Sequence, residues 1–217
     1  MLRFEDVSYT YPFQDSPAVS HISLHVKPGE VVLCTGASGC GKSTLLRLIL
    51  GLDEEYEGRI LLNGQPIDGT GLERGIVFQD HRLFPWLNVE QNVAVALKNS
   101  PLSTKEKRDT VREHIELVGL QDFIDAYPHQ ISGGQRQRTA LARSCIPQPR
   151  WLLLDEPFSA LDPDLRHQMR ELVADVQQEL KIPMLMISHD LADTQALADE
   201  VIRMEDGILQ YDRVEIR

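Results

Sequence analysis

Long apolar runs are missing from this 217-residue sequence. Its most apolar stretch, residues 45–52, is broken by Arg47 and falls far short of the roughly 20 residues a membrane span needs, so the chain is expected to be soluble by itself. Cysteine is scarce as well. Cys34, Cys40 and Cys145 make an odd total of 3. None stands in Cys-x-x-Cys spacing, which leaves no signal for a disulfide framework or a cysteine-held metal and fits a reducing cytosol. Basic charge is short: 22 Lys and Arg stand against 33 Asp and Glu, a net charge of −11. Such a surface repels phosphate backbones and argues against broad electrostatic binding of nucleic acid. Residues 1–30 carry Arg3, Glu5, Asp6 and Asp15 without a continuous apolar segment, so no cleaved secretion signal is expected. Internal repeats and low-complexity tracts are missing too.

What is present is enough apolar material, 42% of residues, to bury one sizeable core with at most a small satellite lobe. Residues 3–9 and 22–26 alternate apolar and polar, as half-buried strands do, whereas residues 31–34 are apolar throughout, as a fully buried strand is. Asn63-Gly64 between Arg59-Ile-Leu-Leu62 and Gln65-Pro-Ile67 predicts a tight hairpin, so the N-terminal part includes antiparallel ribbon. Further on, the short apolar runs 75–78, 151–154, 184–187 and 201–204 alternate with helical patterns. That is the arrangement of an α/β fold with a largely parallel sheet covered on both faces. Residues 42–50 read as a helix stopped by Gly51. Asp162 as N-cap and Pro163 at the first helical position open another, with Leu165, Met169, Leu172, Val173, Val176 and Leu180 on one stripe. Asp206-Gly207 predicts a last hairpin. Residues 82–135 have helical but no strand character: Ser103-Thr-Lys-Glu106 is a capping box, Val111, Ile115 and Val118 follow on one face, and Gly119 ends the pattern. This stretch reads as a helical lobe inserted in a single domain whose core is residues 1–81 and 136–217.

Gly36-Ala37-Ser38-Gly39-Cys40-Gly41-Lys42-Ser43-Thr44 matches the phosphate loop Gly-x-x-x-x-Gly-Lys-Ser/Thr, and it stands between a buried strand and an apolar helix, the context that motif requires. Glycines let successive amide N–H groups turn inward, and the following helix adds the positive end of its dipole, which together make a concavity for polyphosphate. Lys42 supplies a point charge for the β and γ phosphates, and the Ser43 hydroxyl suits Mg2+. Trp151-Leu-Leu-Leu154-Asp155-Glu156 adds two carboxylates at the C-terminal end of a strand, the edge where open α/β sheets bind ligands. Asp155 suits Mg2+ through its water shell, and Glu156 suits polarisation of a water for in-line attack on the γ-phosphorus, so hydrolysis of the bound nucleotide is the expected chemistry. Cys40 inside the loop reads either as a small filler residue or as a thiol whose oxidation would block nucleotide.

Ile131-Ser132-Gly133-Gly134-Gln135 opens a helix that Pro147 and Pro149 close, and it puts a hydroxyl and bare amides at the helix start, a second anion site. With this segment the sequence resembles, over essentially its full length, the nucleotide-binding subunits of ATP-binding cassette (ABC) transporters, whose signature is Leu-Ser-Gly-Gly-Gln. Ile131 in place of Leu is a branched apolar exchange that leaves the phosphate-facing residues unchanged. The resemblance implies a P-loop NTPase fold with a RecA-like core, an N-terminal antiparallel β subdomain and an inserted helical subdomain. It implies ATP and Mg2+ as ligands, and a head-to-tail homodimer in which Ser132, Gly133, Gly134 and Gln135 of one copy meet the γ-phosphate held by residues 36–44 of the other. Gln79 resembles the Q-loop glutamine, which contacts Mg2+ and the attacking water and transmits movement to the helical lobe. Asp162, in Ser159-Ala-Leu-Asp162, resembles the D-loop dimer contact. His189, in Ile187-Ser-His-Asp190, resembles the switch histidine that donates to the γ-phosphate and helps Glu156. Tyr11 resembles the aromatic stacked on adenine, with Tyr9 and Phe13 as neighbouring candidates.

Phe78-Gln79-Asp-His-Arg-Leu-Phe-Pro-Trp86-Leu-Asn-Val89 resembles the subunits that drive bacterial importers of nitrate, taurine and alkanesulfonates, in which Pro-Trp follows the Q-loop glutamine. Leu83, Phe84 and Trp86 suit either a partner helix of a membrane permease or packing of the helical lobe on the core. By resemblance the chain is a peripheral ATPase motor on the cytoplasmic face of a bacterial inner membrane. It would dock to a transmembrane permease near residues 79–86 and the helical subdomain, with a solute-binding protein in the same assembly. It stops soon after the last hairpin, so no C-terminal regulatory domain is expected. The alternatives are an ATPase of an exporter, lipoprotein-release or other cell-envelope complex, and a non-transport ABC ATPase. Relatives that act on nucleic acid or ribosomes need a coiled-coil insertion or a second cassette, for which this length has no room, and a small nucleotide kinase has no use for residues 132–135.

Overall fold

The structure is a computed structural model that describes residues 1–215, with side-chain surroundings for all but residues 191 and 211–215. In chain order the strands are β1 (Leu2–Tyr9), β2 (Val19–Val26), β3 (Val31–Gly36), β4 (Glu57–Leu62), β5 (Gln65–Pro66), β6 (Arg74–Val77), β7 (Trp151–Asp155), β8 (Met184–Ile187), β9 (Glu200–Glu205) and β10 (Ile208–Glu215). The helices are α1 (Lys42–Leu50), α2 (Val89–Ala94), α3 (Thr104–Leu117), α4 (Gly133–Cys145), α5 (Pro163–Leu180) and α6 (Leu191–Leu197), with short 3-10 turns at Val95–Leu97, Gln121–Phe123 and Pro128–Gln130. They fall into two units: residues 1–71 together with the chain from residue 181, and residues 72–180.

The first unit holds an antiparallel sheet in the order β2-β1-β4-β5 and four strands in the order β10-β9-β3-β8. The apolar run of β3 is buried on both flanks, where Cys34 pairs in parallel with Ile187 of β8 and Ile202 of β9. The two predicted hairpins form. Asn63 and Gly64 take φ of 52° and 80°, and Asp206 and Gly207 take 47° and 77°, the pair of positive angles that a two-residue turn demands. β2 begins earlier than the alternation from residue 22 suggested. Its pairing with β1 is bulged, with Asp6 and His21 in left-handed conformation at φ 53° and 51° and the His21 ring on the Asp6 carboxylate at 2.8 Å, and a bulge breaks the period of two. α1 covers the expected residues, buries Leu45, Leu46, Leu48 and Ile49, and ends on Gly51 at φ 67°, whose N–H returns to the Leu48 carbonyl.

The second unit pairs β6 and β7 in parallel, from Arg74 opposite Trp151 to Val77 opposite Leu154. All the chain between them that forms regular structure is helical. α3 starts in the predicted capping box: the Ser103 hydroxyl accepts from the Glu106 N–H at 3.3 Å, and the Ser103 N–H donates to the Glu106 carboxylate at 2.7 Å. Val111, Ile115 and Val118 are buried, and Gly119 turns at φ 66°. α5 is capped by Asp162, whose carboxylate accepts from the Leu165 N–H at 3.0 Å. Its core stripe is narrower than the sequence pattern: Met169, Val173 and Val176 are buried, while Leu165, Leu172 and Leu180 at the margins are only half-buried. Among the described residues no helix is long and apolar enough to cross a membrane.

Candidate nucleotide site

In the first unit the phosphate loop leaves β3 at Gly36 and enters α1 at Lys42. Close backbone approach dictates glycine at both shoulders. A Cβ on Gly36 would stand 2.3 Å from the Met204 carbonyl oxygen, and one on Gly41, at φ 108°, 2.5 Å from that of Ala18. No side chain caps α1, so the amides of its first turn lack intrahelical partners and offer their N–H groups, with the helix dipole behind them, to an anion. Ala37, Ser38, Gly39 and Ser43 are exposed, and Lys42 is buried. Its ammonium curls onto the loop itself, donating to the carbonyls of Gly36 at 2.8 Å and Ala37 at 2.7 Å, with the Cys40 sulfur at 3.7 Å. Cys40 is buried and its Sγ lies 2.7 Å from where a Gly36 Cβ would be, so the thiol fills the floor of the loop. Burial pushes the nearby Cys34 thiol up to about 12, which keeps it protonated.

The three candidate aromatics separate. Tyr9 is buried, with its hydroxyl on Asp53. Tyr11 is half-buried, edge-on to Tyr9 at 4.9 Å between ring centroids, and its hydroxyl shares a 3.0 Å hydrogen bond with Thr44 of the phosphate loop. Phe13 stands fully exposed on a left-handed backbone at φ 68°. His189 follows β8, whose Ile187 pairs with Cys34, so it emerges from the strand next to the one that feeds the phosphate loop. It is exposed between two anchored neighbours. Ser188 is buried, pairs with Asp193 and accepts the Asp190 N–H at 3.1 Å, and the Asp190 carboxylate caps α6 by accepting the Ala192 N–H at 2.9 Å.

In the second unit the parallel register brings Gln79, Asp155 and Glu156 to one edge of the β6–β7 pair, Gln79 exposed and the two carboxylates half-buried. Glu156 is held at φ 45°, a left-handed conformation that costs a non-glycine residue roughly 1 kcal/mol or more. Its carbonyl accepts the Ser159 N–H at 3.3 Å and hydroxyl at 3.0 Å, which fixes the turn that carries both acids.

Ser132 is the N-cap of α4. Its hydroxyl oxygen accepts the Gln135 N–H at 3.2 Å, while the Ser132 N–H donates to the Gln135 side-chain oxygen at 2.8 Å. Accepting leaves the hydroxyl proton available to donate, so the cap and a phosphate contact are compatible. The two glycines serve different ends. Nothing comes closer than 3.9 Å to a Cβ on Gly133, whereas on Gly134 it would lie 2.5 Å from Leu165 of α5, so Gly134 is small because another helix packs there.

Several residues that sequence reasoning passed over tie the segment after Gln79 to α4. The His81 ring donates to the Gly133 carbonyl at 3.1 Å, and the Arg143 guanidinium donates to the carbonyls of Arg82 at 2.8 Å and His81 at 2.9 Å. Burial, with the Arg136 charge beside it, pushes His81 below its ordinary value, so the ring is neutral with its proton on the nitrogen that faces Gly133. Asn92, fully buried, accepts the Phe84 N–H at 2.8 Å and donates to the carbonyls of Leu87 at 2.9 Å and Asn88 at 3.0 Å, which winds residues 84–88 tightly. An asparagine between Val89 and Val93 on the buried face of a helix was the legible hint; His81 and Arg143 carried none. Trp86 is 69% exposed and leans on Phe84 at 5.5 Å between ring centroids, so the aromatic bulk beyond Gln79 faces outward in good part.

Comparison with known proteins adds an independent line. Residues 19–159 match the family described as ABC transporter. The chain is 47% identical over 184 residues to a nitrate import ATP-binding protein of Synechocystis, covering 85% of this chain and 69% of that protein. An aliphatic sulfonates import ATP-binding protein of Bacillus subtilis is 40% identical over 200 residues, 92% of this chain and 77% of its own length. A taurine import ATP-binding protein of Pseudomonas putida is 42% identical over 202 residues, 93% and 77% respectively. Among solved structures, a chain of the dimeric ATP-binding cassette MJ0796 in a post-hydrolysis state with ADP and Pi superposes with a TM-score of 0.86 at 28% identity, covering 100% of this chain and 99% of that one. CbiO1 of Clostridium perfringens, part of an ABC transporter complex, gives 0.91 at 31% identity over 99% and 88%.

Proposed function

The chain belongs to the ABC transporter family and is one of its ATP-hydrolysing subunits, and from that premise we propose that it powers solute import through a partner permease. The observation that carries the reading is the Ser132-capped start of α4 in a chain that also holds a phosphate loop. A nucleotide-binding protein that worked alone would need only the loop. Two anion-ready helix starts in one chain, α1 and α4, suit two copies arranged head to tail, each closing the other's ATP. The import direction is supported by the nitrate, sulfonate and taurine import proteins among its relatives.

In this reading Lys42 exchanges its loop carbonyls for the β and γ phosphates, and the amides of residues 36–44 cradle them. Tyr11 supplies the adenine platform. Ser43, Gln79 and Asp155 would supply hydroxyl, amide and carboxylate oxygens, a donor chemistry that fits Mg2+; the ion, when bound, would neutralise charge on the β and γ phosphates. Glu156 takes the proton of the attacking water, and His189 donates to the γ-phosphate. Ser132, Gly133, Gly134 and Gln135 of the second copy complete the site, with Asp162 at the contact between copies. Phe84 and Trp86, beside the helical segment, offer the permease an apolar foothold at the inner face of a bacterial membrane.

Glu156→Gln tests the reading. The variant is expected to bind ATP, to lose steady-state phosphate release and to accumulate as a nucleotide-bound dimer. Undiminished hydrolysis overturns the role of Glu156, and a monomer in the presence of ATP overturns the sandwich.

A further inference from the structure

Within α4, Gln137 is 1% exposed, and neither the nitrogen nor the oxygen of its carboxamide has a hydrogen-bond partner among the described residues. A buried amide left unpaired at both ends is costly where an apolar side chain of the same size would not be. Its position explains what such a group is for. Seven residues of helix make nearly two turns, so Gln137 lies on the same face as Ser144, about 20° away in azimuth and about 10 Å nearer the helix start. The Ser144 hydroxyl donates to the Ile76 carbonyl of β6 at 2.6 Å, so that face is turned to β6. From Ile76 the chain runs toward the start of α4, because His81 reaches the Gly133 carbonyl. Three extended residues cover about 10 Å. Gln137 is therefore level with the peptide that joins Phe78 to Gln79, at the edge where Asp155 and Glu156 leave β7.

We propose that Gln137 is a positioning residue for Gln79: its carboxamide pairs with the peptide joining Phe78 to Gln79 when that segment shifts to carry the Gln79 side chain onto the nucleotide. A carboxamide donates from Nε2 and accepts at Oε1, so it matches both polar groups of one peptide. Because the pairing is gained only in the engaged position, it biases the segment toward that position, which is the differential contact a two-state element needs. The inference rests on the ATPase reading above.

The test is Gln137→Met, close in volume and without polar atoms, compared with the wild-type chain and with Gln79→Ala in ATP hydrolysis with Mg2+ and in thermal unfolding. The expected result is a Tm equal to or above that of wild type, an unchanged KM for ATP, and a kcat at least fivefold lower. Adding Gln137→Met to Gln79→Ala should bring little further loss, since the two residues act as one unit. A smaller fall in kcat, or losses that multiply in the double variant, overturns the proposal. A lower Tm overturns it too, because the amide would then already be paired in the resting fold. Absence of hydrolysis by the wild-type chain would instead sink the ATPase reading, and the Tm comparison would still decide whether the Gln137 amide rests unpaired.

Discussion

The His81 ring and the Gly133 carbonyl, 3.1 Å apart, join the segment that follows Gln79 to the helix that Ser132 caps. Arg143 doubles the link by holding two successive carbonyls of the same segment. Hydrogen bonds from a charged donor contribute about 1.5–3 kcal/mol each when buried, and Arg143 is half-buried. Arg143→Ala is expected to cost about 2 kcal/mol in urea unfolding followed by tryptophan fluorescence, and to lower kcat along with it. Arg143→Lys, which keeps the charge but reaches only one carbonyl well, should recover part of both.

Gly134 and Leu165 form a second testable pair. A methyl group on Gly134 would stand 2.5 Å from the Leu165 side chain, which must then move. Gly134→Ala is expected to destabilise by about 1–3 kcal/mol. Combined with Leu165→Ala, which opens the space, the loss should be smaller than the sum of the two single losses in the same unfolding assay.

Glu156 separates stability from activity. Its left-handed backbone, φ 45°, suits glycine better than any other residue, so Glu156→Gly should leave the fold as stable as wild type or more stable by about 1 kcal/mol. Phosphate release should vanish all the same. A variant that unfolds more easily would show that its side-chain contacts outweigh the backbone strain.

Asp53 gives the fold a pH dependence. The Arg47 guanidinium, hydrogen-bonded to it at 2.6 and 2.8 Å, holds the carboxyl below its usual range. A carboxylate depressed in the folded state stabilises above its unfolded value, about 3.9, and that contribution is lost as pH falls through the lower folded value. Arg47 is 45% exposed, which limits the pair to about 1 kcal/mol. Tm of Asp53→Asn should therefore lie below wild type at pH 7, and the gap should begin to close only as pH falls below about 4.

Local chemistry made much of the fold legible. α1 could be read to its ends because a phosphate-loop glycine opens it and Gly51 closes it, and the two hairpins because Asn63-Gly64 and Asp206-Gly207 permit only tight turns. The bulge at Asp6 and His21 was invisible, since pairing between strands rather than period decides it. At the candidate site the motif residues were legible and their supports were not. Gly134 looks in sequence like one more bare amide, and only the packing of α5 against it shows the steric demand. The His81 and Arg143 bonds join residues far apart in sequence, with no spacing rule to betray them.

Lys42 rests on the Gly36 and Ala37 oxygens, and this has a bearing on turnover. On the proposed reading a triphosphate draws that ammonium away from two good acceptors, so the charge adds only the difference between old and new partners to affinity. In that reading the loss of the γ-phosphate leaves the lysine a place to return to, and the spent nucleotide is gripped less tightly without the loop having to unravel.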